Sequence, residues 1–298
     1  MSEALRLLLE LNAALTFAVL VVLTARIVFR RTFGPRAAYG IWSAVPLALI
    51  AVCLPRVGPD AFVGDSPGAD MLERTLLGGW AVGVIIAAGL MAAAQVRFGD
   101  LARRGLAGPA VTGVIVPRLV MPADSATRWR PEEKTLILAH EHAHLERGDL
   151  RVNSVVALLQ CLFWCNPLAH VAATRFRFDQ ELACDATVMA MQVGRRRLYA
   201  EALLKADSGV GAPFSCSWGD VGRGALETRV TSLRLPHHAP SPTAVLTATG
   251  LALAIAGAAW AVQPASPEQT QDPRPRILNL RLLPPQASPQ PVRTAETA

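Results

Sequence analysis

Four runs of apolar residues, at 7–29, 37–54, 76–96 and 243–262, constrain this chain more than anything else in it. Each is about as long as a helix must be to cross the ~30 Å hydrocarbon core of a bilayer, and in lipid a helix satisfies its own backbone hydrogen bonds. The first run is too long for the core of a signal peptide, and no small-residue cleavage site follows it. Glu10 and Arg26 lie near its ends, where their side chains are expected to reach the interface. Pro46 predicts a kink in the second run, and Gly79-x-x-x-Gly83 offers a candidate helix-packing face in the third. Composition agrees: 52% hydrophobic residues, 17% charged residues and a mean hydropathy of +0.33 fit a chain that lies partly in lipid.

The charges between these runs predict an orientation. Arg26, Arg30, Arg31 and Arg36 follow the first run, and Arg97, Arg103 and Arg104 follow the third. The loop between the second and third carries Asp60, Asp65, Asp70 and Glu73. Lysine and arginine stay on the cytoplasmic side, so the N-terminus is expected outside and everything from Arg97 onward begins inside. This accounts for the net charge of +6 without nucleic acid, for which no aromatic-interleaved basic patch exists. Five cysteines without framework spacing argue against a disulfide scaffold.

The expected architecture is mainly α: a polytopic membrane protein with four transmembrane helices and a cytoplasmic α+β domain. Residues 1–96 form a three-helix membrane region, 97–241 the aqueous domain, 242–262 the fourth span, and 263–298 a proline-rich tail expected to be disordered on the outer side. An apolar island at 276–283 in that tail is a candidate for pairing with a partner's strand.

The chemistry is carried by His140-Glu141-His142-Ala143-His144. In a helix, His140 and His144 sit one turn apart on one face, where two imidazoles can bind one Zn²⁺. Glu141, one residue round, can take the proton of a water at the ion; His142 points away. Pro131-Glu132-Glu133 reads as the start of that helix, which is expected to stop near Gly148. Upstream, 112–117 and 119–122 read as two short strands closed by prolines; such a strand could hold an extended peptide by edge pairing. Downstream, 152–165 is apolar but short for a span, so a core or half-sunk helix is expected. A charged helix over 175–185 then offers Glu181 as third zinc ligand and, one turn on, Asp185 to accept the free ring N–H of a ligand histidine.

Other residues have plainer readings. Cys161, Cys165 and Cys184 read as core packing, and Arg195-Arg196-Arg197 as a solvated face or a contact with anionic lipid. Tyr199, His170, His237 and His238 are candidates by residue type for stabilising an oxyanion.

Taken together, VIVPRLVMP, ILAHEHAHLERGD, CLFWCNPLAH and FDQELACD, in that order with three apolar runs before and one after, resemble the BlaR/MecR-type family of membrane zinc metallopeptidases. The resemblance implies a gluzincin-like endopeptidase in which His140, His144 and Glu181 hold zinc, Glu141 acts as base and Asp185 stands behind a ligand. It also implies a signalling role, cleaving a cytoplasmic repressor or the chain itself; the bilayer and a second copy of the chain are further candidate partners. The sensor members carry a large penicillin-binding domain after the fourth span. Here about 36 residues follow it, without a Ser-x-x-Lys motif, so antibiotic sensing is not expected of this chain. Two rival expectations are a broad-specificity membrane quality-control protease, and a non-catalytic scaffold whose closed zinc site would take Cys184 as fourth ligand.

Overall fold

The computed structural model describes residues 2–55, 57–58, 69–206, 213, 215–217, 222–234, 241–263 and 266–267. The tail beyond Pro267 with its apolar island, most of the acidic loop, and His237 and His238 lie outside the described residues. Among the described residues, four helical segments are long and apolar enough to cross a membrane. The first is α1 (Glu3–Phe33), with Ser2 as N-cap. The second is broken: α2 (Pro35–Gly40), a 3₁₀ turn over Ile41–Ser43, then α3 (Ala44–Val52). The break falls at residue i−4 from Pro46, where the ring would collide with the Trp42 carbonyl of a regular helix. The third is α4 (Ala69–Arg103), which extends well past the apolar run.

The hairpin follows. β1 (Ala110–Thr112) pairs antiparallel with β2 (Arg118–Val120). The first strand therefore ends where it was expected to begin. Gly113 takes a φ of +96°, and a Cβ there would lie 2.4 Å from the Val116 carbonyl oxygen, so the chain turns instead of extending. A third strand, β3 (Ser215–Ser217), pairs with β1 on its other side. The remaining helices among the described residues are the short α5 (Ser125–Arg128), α6 (Pro131–Arg147), α7 (Asp149–Leu162), α8 (Pro167–Met191), α9 (Arg196–Ala206), α10 (Gly222–Ser232) and α11 (Pro242–Ala261), which is the fourth apolar helix; Val57–Gly58 and Ser266–Pro267 form a separate two-residue parallel pair.

Two cores matter for the site. Ala18, Val22, Trp42, Ala48 and Ile255 from the apolar helices pack with Ala172 and Phe176 of α8. Trp129, Leu136, Ile137, Tyr199 and Leu203 pack with Val188 and Met189 at the far end of the same helix. At ~1.5 Å per residue, α8 is a rod of roughly 37 Å whose first half belongs to the membrane helices and whose second half belongs to the site.

Arg26 departs from expectation. It does not reach an interface: it is buried, and Nη1 bonds Asp179 Oδ2 of α8 at 2.7 Å and the Arg175 carbonyl at 3.1 Å. Trp42 Nε1 donates to the same carboxylate at 2.9 Å. An arginine in an apolar run is retained here because α8 supplies a buried counter-charge. Glu10 pairs with Arg6 one turn away. Of the two glycines of the candidate packing face in α4, Gly83 alone makes a close approach. A Cβ there would meet the Trp164 ring at 2.1 Å, while Gly79 has nothing within 4 Å. Cys161 is buried as expected, but Cys165 is exposed.

Candidate metal centre

Helix α6 is set by its ends. Pro131 occupies the first turn, and Glu133 reaches back to the Arg130 backbone N–H at 2.8 Å while Lys205 of α9 binds its carboxylate at 2.7 Å. Gly148, with φ +71°, closes α6 in the left-handed conformation and starts α7 directly. That one-residue corner brings Asp149 back against His144. Between these ends His140, Glu141 and His144 are all buried, whereas His142 is exposed and pairs with Glu146.

The inner edges of the two rings converge. His140 Nε2 and His144 Nε2 are 3.1 Å apart. The Glu181 carboxylate, from α8, completes a triangle: Oε2 is 3.2 Å from His140 Nε2 and Oε1 is 3.4 Å from His144 Nε2. The outer edges are occupied. His140 Nδ1 faces Tyr199 Oη at 2.7 Å and Asp185 Oδ1 at 3.3 Å, and His144 Nδ1 faces Asp149 Oδ2 at 2.6 Å. In the metal-binding tautomer, with the ring protons on Nδ1 donated to these partners, both Nε2 lone pairs and an anionic carboxylate would point at one place; in the metal-free site His144 is raised well above its ordinary value, against burial, by Cys184, Cys216, Glu181 and the hydrogen bond to Asp149. Such crowding of acceptors calls for a cation. Around a tetrahedral ion with bonds of ~2.0–2.1 Å, donor atoms stand about 3.3 Å apart, which is the spacing seen.

Electrostatics agree. Burial pushes the Glu181 carboxyl up, but the Arg229 guanidinium, His144 and the hydrogen bonds to both histidines bring it well below the usual range. Asp185 behaves likewise, held low against burial by Arg229, which grips it through Nε and Nη2 at 2.8 Å each. Arg229 also touches Glu181 Oε2 through Nη1 at 3.1 Å. Glu141 is the exception. It is 2% exposed, and neither carboxylate oxygen has a hydrogen-bond partner among the described residues. Burial pushes it up to about 7, with His144 and His140 acting in the opposite direction. A buried carboxyl left without a partner beside a donor triangle is suited to handling a proton of a third species there.

Two further groups of donor residues lie close by: His140, His144 and Cys184, and His144, Asp149 and Cys216. Cys184 Sγ sits 3.3 Å from His144 Nδ1, the edge that Asp149 already occupies. Burial also pushes its thiol up to about 11 in the metal-free site.

The structure thus brings His140, Glu141, His144, Glu181 and Asp185 into one cluster. Of the oxyanion candidates, Tyr199 and His170 are described and neither lies there, while His237 and His238 fall outside the described residues. Tyr199 lies behind His140, bonded to Asp185 Oδ1 at 2.7 Å, and His170 bonds the Trp164 carbonyl at the α7–α8 turn. Sequence reasoning missed Asp149, Arg147 and Arg229. A glycine stop followed at once by an acid could have flagged Asp149. Nothing local marks Arg229, which lies 44 positions beyond Asp185.

Fold and site together define a membrane-embedded, mainly helical protein with a metallopeptidase-like centre. Residues 101–233 match the family model described as BlaR1 peptidase M56. A stretch of 98 residues is 31% identical to the Regulatory protein BlaR1 of Bacillus licheniformis, covering 33% of this chain and 16% of that protein. Both are similarities over part of the chain, which spans about a sixth of that relative's length.

Proposed function

We propose that this chain is an integral-membrane zinc endopeptidase with a regulatory role, hydrolysing a peptide bond in a cytoplasmic protein of repressor type or in itself. The observation that carries the reading is the triangle of His140 Nε2, His144 Nε2 and Glu181 next to the unpartnered Glu141. Zinc bound there by His140, His144 and Glu181 would polarise the scissile carbonyl and acidify the attacking water.

The other steps belong to the chain's own residues. Glu141 accepts the water's proton and passes it to the leaving amine, a task for a carboxyl poised near 7. Asp185 and Tyr199 fix the tautomer of His140, Asp149 fixes that of His144, and Arg229 anchors Glu181. Three protein ligands leave a position open for substrate. A closed structural site would need Cys184, whose sulfur lies against the outer edge of His144.

The arginines around 26–36 and 97–104 support a multi-pass placement in the inner membrane with the peptidase region facing the cytoplasm. The regulatory assignment draws on the relative's name, and its repressor-type substrate on the resemblance of the motifs. The deciding experiment is Glu141→Gln in the full chain. Zinc content measured on the purified protein stays at the wild-type level, while cleavage falls by about 10²–10⁴-fold; cleavage at the wild-type rate would refute the assigned base.

A further inference from the structure

His144 is supported by a residue that lies far outside the family-matched segment. Asp149 Oδ2 binds the ring, and its other oxygen, Oδ1, accepts a hydrogen bond from the phenol of Tyr39 at 3.1 Å. Tyr39 belongs to α2, the first leg of the second apolar segment, 110 positions before Asp149. Gln180 Nε2 donates to the phenol oxygen at 3.3 Å, so the phenol's own proton is left for Asp149. The ring is held as well: the Arg147 guanidinium lies 4.8 Å from its centroid and the Phe176 ring 5.4 Å away.

We propose that Tyr39 is a positioning residue of the metal centre, through which a membrane helix sets the orientation of His144. The inference rests on the metallopeptidase reading above. Without the phenol, Asp149 would be oriented from the protein side by Arg147, its Oδ1 held only by Arg147 Nε at 3.3 Å. Arg147 has a competing acceptor in the Gln180 carbonyl at 3.2 Å. Tyr39 latches Oδ1, so the carboxylate keeps the rotation that presents Oδ2 to the imidazole. The aim of His144 Nε2 at the ion then depends on where α2 sits relative to α7 and α8. A shift of α2 would reach the metal through two hydrogen bonds.

The test is Tyr39→Phe in the full chain purified in detergent, which keeps the ring and its stacking and removes the hydroxyl. Zn²⁺ affinity by competition titration is expected to fall about fivefold, the worth of one hydrogen bond. The visible spectrum of the Co²⁺-loaded protein, which reports ligand geometry, should shift as well. Ser43→Ala, whose hydroxyl one turn on bonds only the Gly40 carbonyl, keeps wild-type affinity. In an Asp149→Asn background, Tyr39→Phe should add nothing, because its route to His144 is already cut. Wild-type affinity with an unchanged cobalt spectrum in Tyr39→Phe, or a full additive loss in the Asp149→Asn background, overturns the assignment. A wild-type chain that takes up no divalent ion overturns the metallopeptidase reading itself.

Discussion

Behind His140 stand Asp185, Tyr199 and Arg229, drawn from α8, α9 and α10; behind His144 stand Asp149, Arg147 and Tyr39, drawn from the α6–α7 corner and α2. Each imidazole is backed by an aspartate, each aspartate by an arginine, and each aspartate also accepts from a tyrosine. The surroundings differ. Arg229 is 1% exposed and Tyr199 is fully buried, whereas the Arg147 side chain is 23% exposed and Tyr39 is half-buried. One support is sealed within the core formed by α6, α8 and α9. The other faces the membrane helices and can exchange its partners for water. The same chemical device can therefore serve as a fixed anchor on one side of an ion and an adjustable one on the other.

The sharpest way to break this comparison is to remove each aspartate in turn. Asp185→Ala removes the bidentate partner of a buried guanidinium, leaving its contact with Glu181, and should destabilise the protein by about 3–5 kcal/mol. Asp149→Ala leaves Arg147 free to turn to solvent or to the Gln180 carbonyl, and should cost about 1–3 kcal/mol. Denaturant unfolding of the full chain in detergent measures both, and equal losses would erase the distinction.

Glu141, which belongs to neither support, sharpens the contrast through pH. Asp185, Glu181 and Asp149 have lowered carboxyl pKa values, so their contribution to stability is present above the usual carboxylate range and is lost as pH falls. Glu141 is raised from 4.5 to about 7, so its contribution is present below 4.5 and is lost as pH rises through about 7. Metal-free protein should therefore lose stability between about pH 4.5 and 7, by up to roughly 3 kcal/mol, with the loss complete just above 7. Glu141→Gln should flatten that limb in a melting-temperature series while leaving the acid limb intact. A wild-type curve that rises over this interval would contradict the burial argument.

The smallest effect expected concerns the ion. Asp185→Asn and Asp149→Asn keep the shapes of both supports and should each weaken Zn²⁺ binding by about 10–100-fold, as loss of an outer hydrogen-bond partner usually does. If the sealed support is the fixed one, isothermal titration should show the larger loss for Asp185→Asn.

Much of this was legible before any coordinates. The apolar runs became helices because their length and composition leave lipid-exposed backbone no other way to satisfy itself. His140 and His144, and separately Glu181 and Asp185, share a helix face because four residues make about one turn. Gly148 ended α6 where the pattern stopped. The failures were equally physical. The strand expected over 112–117 gave way to one backbone conformation at Gly113. Arg26 was assigned to the interface because its counter-ion, Asp179, lies 153 positions away and leaves no trace beside it. Tyr199, a candidate by residue type for the substrate side, instead faces the outer edge of the His140 ring.

What the linear chain determined by itself is whatever acts within a few helical turns: which segments are apolar enough for lipid, which residues share a face, where a helix starts and stops. Tertiary structure decided which faces meet. It set Glu181 against the two imidazoles, carried Arg229 to Asp185 and Tyr39 to Asp149, and threaded one helix through both cores. Contacts within a turn recur with the period of the helix and can be counted along the sequence. Contacts across tens of residues have no period, and they follow only from how the packed elements fill space together.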